Sequence, residues 1–319
     1  MEIIRDPENS PELEQGHVVT IGAYDGVHLG HRAVIRATQQ KARSLDLDMA
    51  VVTFDPHPAY LLRPSHAPKL LTDTAQKLEL LDECGVDTVV VVPFDHQRAS
   101  QRAPEFIEDV LVRFLKVRAI TVGHDFRFGA ERSGNVDVLR ALGEQHHFDV
   151  EGVQLLPRPD GKVESITSTA IRQALTDGDV DAAARMLGRH HEIRGDVVKG
   201  DQRGRTIGFR TANVAVPQEM ALPADGVYAA WYLGPDDEKW PAAVNIGKRP
   251  TFYRDAEHSL VEAHLIDFEG DLYDQPARVQ MVERIRSERR FDGLDALKEQ
   301  LQCDIGSARE ILASEGASD

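Results

Sequence analysis

Over the first 187 residues short runs of β-branched and apolar residues alternate with amphipathic helical stretches. The strand-like runs are Val18–Ile21, Met49–Phe54, Thr88–Val92, Ala119–Val122 and Val153–Leu156. Helical periodicity fills the spaces between them at Arg32–Ser44, Ala75–Glu83, Pro104–Leu115 and Val136–His146, and two short helices are expected at Ser168–Leu175 and Val180–Leu187. Strand and helix in turn predict a parallel, doubly wound α/β sheet. At Gly188–His191 the rhythm changes. Glu192–Val198, Gly226–Leu233, Ala242–Ile246, Leu260–Ile266 and Ala277–Ile285 read as antiparallel strands joined by turn-rich loops, and a last amphipathic helix covers about Leu294–Leu312. That half predicts a small β-barrel, so two domains are expected, 1–187 and 188–319.

Composition narrows the function. A chain of 319 residues, 41% hydrophobic, is long enough for two ordinary cores. Its formal net charge of -16 argues against a nucleic-acid partner or an anionic membrane surface, both of which are approached with Lys and Arg clusters. The two cysteines, Cys84 and Cys303, stand far apart in helix-like contexts, which speaks against a disulfide framework and for a reducing, cytoplasmic setting. Met1–Gly16 is acidic and carries Pro7 and Pro11, unlike a basic, apolar signal segment. The longest apolar run, Thr88–Pro93, is strand-sized, so no membrane span is expected. A monomer or weak homo-oligomer is the expected state.

The candidate chemistry of the first half lies at the carboxyl ends of its strands, where open α/β sheets bind ligands. Ile21-Gly22-Ala23-Tyr24-Asp25-Gly26-Val27-His28-Leu29-Gly30-His31 runs from the first strand into the first helix. Gly22, Gly26 and Gly30 let the backbone approach a ligand, and His28 and His31 lie one turn apart at a helix start, placed to hold a triphosphate. The spacing is neither G-x-G-x-x-G nor G-x-x-x-x-G-K-[ST], so neither dinucleotide binding nor a P-loop follows. A capped helix with exposed histidines, or half a metal site, fits the same residues. Asp55-Pro56-His57-Pro58 closes the second strand at the same edge, as a ligand contact or as a rigid capped loop. Gly123-His124-Asp125-Phe126-Arg127-Phe128-Gly129 follows the fourth; its rings can sandwich a flat heterocycle or join the core. Thr167-Ser168-Thr169-Ala170-Ile171-Arg172 sets hydroxyls at a helix start and an arginine one turn on, an arrangement suited to phosphate.

In the second half Lys199, Gly200, Arg203, Gly204, Arg205 and Gly208 form a glycine-dense basic loop able to fold over phosphates. Thr211 and Asn213 alternate with Ala212, so in an extended segment both point to one face, where their oxygens suit Mg²⁺ beside a nucleotide phosphate; a plain hairpin with polar strand residues is the other reading.

Taken in order, the motifs at 22–31, 55–58, 123–129 and 167–172 resemble those of prokaryotic bifunctional riboflavin kinase/FAD synthetases, and the likeness extends from about Val18 to Asp304. The resemblance implies a Rossmann-like nucleotidyltransferase domain followed by a riboflavin kinase barrel with a C-terminal helix. In the first domain it implies catalytic His28, His31 and Arg172 and an ATP site of Gly22, Asp25, Gly26, His28, Gly30, His31, Asp125, Ser168, Thr169 and Arg172. Asp55, His57, Phe126 and Phe128 would meet flavin. In the barrel it implies ATP contacts from Lys199, Gly200, Gly204, Arg205 and Gly208, Mg²⁺ on Thr211 and Asn213, Glu262 as general base, and flavin contacts from Asn245, Arg249, Glu262 and Arg286. Substrates and products would be riboflavin, FMN, FAD and ATP with Mg²⁺. Three residues depart from the family's usual pattern: Tyr24 stands where Phe is more usual, Asp125 where some members have Asn, and Arg210 where the kinase motif G-F-P-T-A-N has Pro. The alternatives to a two-step enzyme are an adenylyltransferase with a barrel that only binds flavin, or a non-catalytic flavin-binding protein.

Overall fold

Val18, Val19, Val51, Val52, Val89 and Val90 are all shut away from solvent, which a sheet allows only when helices cover both faces. In the computed structural model, which describes residues 1–7, 10–11, 13–159, 161, 165–200, 208–247 and 260–316, these valines lie on a six-stranded parallel sheet. Its strands are β1 (Glu2–Arg5), β2 (His17–Ile21), β3 (Asp48–Asp55), β4 (Thr88–Pro93), β5 (Ala119–Gly123) and β6 (Asp149–Val153), ordered β1-β4-β3-β2-β5-β6. On one face Ile35 and Ala42 of α1 (Leu29–Leu45) and Leu78, Leu80 and Leu81 of α3 (Thr74–Glu83) cover Val18, Val51 and Val89; α2 (Pro58–Leu62) lies between these two helices in the chain. The other face packs Val19, Val52 and Val90 against Phe106, Ile107 and Leu111, from α5 (Ala103–Phe106) and the π-helical turn that continues it, and against Leu139 of α6 (Val136–His146); α4 (His96–Ser100) precedes them. Neighbouring valines thus serve opposite layers, as the period of two in a strand requires.

Two strands differ from the sequence reading. β1 is an edge strand whose Glu2, Ile3 and Arg5 are exposed, so it carries no apolar run. The last strand is Asp149–Val153, not Val153–Leu156. As the opposite edge it pairs, among the described residues, only with β5, from Ala119↔Asp149 to Gly123↔Val153, and tolerates Asp149, Glu151 and Gly152.

By its contacts the chain divides between Thr167 and Ser168, so α7 (Ser168–Thr176) and α8 (Val180–Leu187) group with the second unit, where the sequence rhythm draws the boundary at 187/188. α8 buries Val180, Ala183, Met186 and Leu187 and packs on two strands of that unit, β7 (His191–Val198) and β12 (Pro276–Ser287). With β8 (Ala212–Ala215), β9 (Gly226–Leu233), β10 (Lys239–Gly247) and β11 (Leu260–Leu265) these close an antiparallel barrel in the order β10-β11-β8-β7-β12-β9. The final helix, α9 (Leu294–Gly316), lays Ala308 and Leu312 on Ala229 and Ala243. Among the described residues no helix is long and apolar enough to cross a membrane.

Candidate active sites

The glycine loop of the α/β unit leaves the carboxyl end of β2 and turns through three left-handed residues, Tyr24 (φ 50), Gly26 (φ 85) and Val27 (φ 37). A β-branched residue in that region is strained, and such strain is held only where the surroundings over-determine the backbone. Here they do. Asp25, buried, accepts hydrogen bonds from the backbone of Leu71 (2.8 Å) and Thr72 (3.1 Å), and the Gly26 N–H donates to the Thr72 hydroxyl at 3.0 Å. Tyr24 is buried with its hydroxyl 2.7 Å from that of Thr20. Burial pushes its pKa far up, so the phenol stays neutral, and Thr20 is the partner that lets a Tyr stand at this position.

His28 caps α1. Its Nδ1 accepts the His31 backbone N–H at 3.3 Å; an imidazole that accepts at Nδ1 in its neutral form carries its proton on Nε2. The rings of His28 and His31 stack with centroids 3.6 Å apart. Gly30 is glycine for a packing reason, since a Cβ there would come within 3.1 Å of the His28 ring and 3.3 Å of the Ile166 carbonyl oxygen. Nδ1 of His31 is buried without a hydrogen-bond partner among the described residues. Burial, with the charges of His28 and Lys77, holds His31 well below its ordinary 6.5. The two stacked imidazoles stand at the positive end of a 17-residue helix, a setting that suits an anion.

The remaining residues predicted from the first half of the sequence fall in several places. Gly22 packs under the Tyr24 ring, where a Cβ would be 3.1 Å away. Asp55 ends β3, while the His57 ring turns back to cap α2, accepting from the Ala59 N–H at 3.1 Å. Phe126 and Phe128 stack at 5.4 Å, but the Phe128 ring lies in the core against Gly134. Asp125 is exposed in the turn after β5. Ser168, Thr169 and Arg172 open α7, with Thr169 exposed and Arg172 half-buried.

In the barrel, register decides the geometry. Glu262 on β11 lies directly opposite Asn213 on β8 and Asn245 on β10. Residues directly opposite share a face, so these three form one row across adjacent strands. The flanking positions Val214, Val261 and Ile246 pair in the same way and are fully buried, turning to the other side. Gly200 abuts the row, since a Cβ there would lie 2.5 Å from the Asn213 amide nitrogen. Thr211 is half-buried just ahead of β8. The Arg210 carbonyl accepts a 2.7 Å hydrogen bond from Nδ1 of His264, which holds the backbone before Thr211 where the usual Pro would stiffen it. Lys199 reaches over the Tyr273 ring at 5.8 Å, and Gly208 is exposed with φ 92. Gly204, Arg205 and Arg249 lie outside the described residues.

Arg286 is engaged with protein. It donates from Nε and Nη2 to both carboxylate oxygens of Asp304 at 2.7 to 3.1 Å, and Asp304 is 1% exposed. Removing one partner of such a pair strands a buried charge. Arg286→Ala is therefore expected to destabilise the barrel by about 3 kcal/mol, read as a lower urea midpoint at unchanged slope; an unchanged midpoint with a raised riboflavin KM would instead make Arg286 a flavin contact.

Comparison with known proteins decides the family. A family model described as FAD synthetase matches residues 10–169, and one described as riboflavin kinase matches 187–312. The bifunctional riboflavin kinase/FMN adenylyltransferase of Escherichia coli strain K12 is 42% identical over 98% of both chains. The chain belongs to the bifunctional riboflavin kinase/FMN adenylyltransferase family. Its relative of that name in Haemophilus influenzae is 38% identical over 98% of this chain and 100% of that one. A solved Streptococcus pneumoniae structure described as a macrolide-efflux protein superposes with a TM-score of 0.86 at 31% identity, covering 97% of this chain and 99% of that one. The two family models follow one another along the chain, FAD synthetase first and riboflavin kinase second. The row Asn213, Glu262 and Asn245 was visible in the sequence only as three separate motifs; Lys77, beside His31, carried no motif signal.

Proposed function

We propose that this chain makes FAD in two ATP-dependent steps, the barrel phosphorylating riboflavin to FMN and the α/β unit transferring AMP from a second ATP to FMN with release of pyrophosphate. The observation that carries the reading is the Asn213–Glu262–Asn245 row on adjacent strands, in a chain whose other unit presents the stacked His28 and His31.

In the kinase step Glu262 takes the proton of the riboflavin 5′-hydroxyl as that oxygen attacks the γ-phosphorus and the bond to the β–γ bridging oxygen breaks, releasing ADP. Asn245, one strand away on the same face, orients the flavin. Thr211 and Asn213 offer a hydroxyl and an amide oxygen, hard donors of the type Mg²⁺ prefers, and the absent Cβ of Gly200 leaves the backbone close against Asn213. They would hold magnesium, which when bound would neutralise phosphate charge.

In the adenylyl step the FMN phosphate attacks the α-phosphorus directly and the pyrophosphate departs, so the chain supplies position and charge. His28 donates from Nε2, and His31 stacks beside it at the same helix start. On the resemblance alone, Ser168, Thr169 and Arg172 at the start of α7 are proposed to bind phosphate.

The reading is tested by chromatography of products from two reactions, one started with riboflavin, ATP and Mg²⁺ and one with FMN in place of riboflavin. FAD from both is the expected result. FAD from FMN alone removes the kinase step and reduces the barrel to a flavin-binding module; no FAD from either overturns the proposal.

A further inference from the structure

Lys77 belongs to no motif, yet it is 5% exposed on the inner side of α3. Its ammonium donates to the Phe54 carbonyl at 3.2 Å and stands 3.5 Å from that of Ala23. Those carbonyls come from the end of β3 and from the glycine loop. The same junction is tied by the Thr53 hydroxyl to the Ala23 carbonyl at 3.2 Å, by Gly22 N–H to the Val52 carbonyl at 3.0 Å, and by Asp25 to the segment ahead of α3. The histidine loop is thus clasped between β3 and α3, with a cation inside the clasp.

Packing alone does not account for a cation there. Burial lowers the Lys77 pKa from its ordinary 10.5, and the carboxylates of Asp55 and Asp25 only partly restore it. A methionine would fill the same space without desolvating a charge. We infer that Lys77 is a positioning residue for adenylyl transfer: its ammonium pins the histidine loop to the end of β3 and holds a positive field beside His28 and His31. The inference rests on the adenylyl-transfer reading of the α/β unit.

Such a field favours a polyphosphate and opposes a second positive charge on the imidazoles. The groups facing His31 are Tyr24, whose ring centroid is 5.0 Å away, His28 and Lys77, with Asp25 and Asp55 acting through the lysine. Burial, His28 and Lys77 all push the His31 pKa down. Removing the Lys77 charge therefore raises it toward 6.5, so His31 takes its proton at a higher pH and the acid limb of FAD formation moves upward.

The experiment uses the full-length chain and Lys77→Met, with FMN and ATP as substrates and riboflavin phosphorylation as the internal control. Wild-type FAD formation is measured first, and its absence overturns the adenylyl-transfer reading before any variant is made. K77M is expected to lose about tenfold or more in kcat/KM for FAD formation, with its acid limb at higher pH, while riboflavin phosphorylation stays within about twofold. Ring titration of ¹³C-labelled histidine gives a readout independent of turnover, in which His31 of K77M must titrate at higher pH than in the wild type. A loss of rate with an unmoved limb and an unmoved His31 titration makes Lys77 structural only and overturns the inference, as does an unchanged rate. If K77M fails to fold, Lys77→Arg decides: retaining the cation, it must keep the wild-type limb, and a shifted limb refutes the proposal.

Discussion

His28→Ala should lose FAD formation from FMN by at least about 10²-fold, approaching 10³, while riboflavin phosphorylation by the same molecules is unchanged. The size follows from what the ring does. In the proposed adenylyl step it contributes a charge-stabilising donor at the atoms where pyrophosphate charge develops, and removing one such preorganised donor from an active site costs roughly 10²–10³ in kcat. Two structural losses add to this. The His31 N–H loses its cap at the start of α1, worth about 1 kcal/mol by analogy with ordinary caps, and the stacked partner that fixes the His31 ring disappears. His28→Asn separates the contributions, because an amide can still cap the helix but lacks the imidazole donor. It should recover the thermal stability that alanine loses and little of the rate. Equal loss of FMN and FAD formation in His28→Ala would refute the division of labour between the units, since the kinase residues sit on strands of the other unit.

How far the sequence exposed this arrangement varies with the kind of residue. The glycine–histidine loop was legible because its geometry is imposed locally: Gly30 must be glycine beside the His28 ring, and Gly26 must accept a positive φ. Glu2–Arg5 and Asp149–Val153 were not legible as strands, because edge strands face water and need no apolar run. Lys77 was invisible for a different reason. Lysine on an amphipathic helix reads as a solvated residue, and only the arrival of the Phe54 and Ala23 carbonyls at its ammonium reveals otherwise. Arg286, a flavin contact by the resemblance, shows its ion pair only once α9 brings Asp304 to it from eighteen residues further on.

The barrel's step makes the converse test. Glu262→Ala should reduce FMN formation by about 10²–10⁴-fold, the usual contribution of a positioned base, and leave added FMN to be converted to FAD at the wild-type rate. Phosphoryl transfer runs through a loose transition state in which positioning and charge neutralisation carry most of the catalysis, so part of the loss must come from position. Glu262 holds the centre of the row, with Asn213 on one side and Asn245 on the other. Glu262→Gln keeps the side chain's shape and its place in the row while abolishing its basicity. If proton removal dominates, the glutamine variant should be nearly as slow as alanine, with KM for riboflavin close to that of the wild type. If position dominates, glutamine should restore most of the rate and alanine alone should raise KM. A kinase unaffected by both substitutions would remove Glu262 from the base role. The hydroxyl proton would then pass to phosphate or water, leaving the row to orient substrate and metal only.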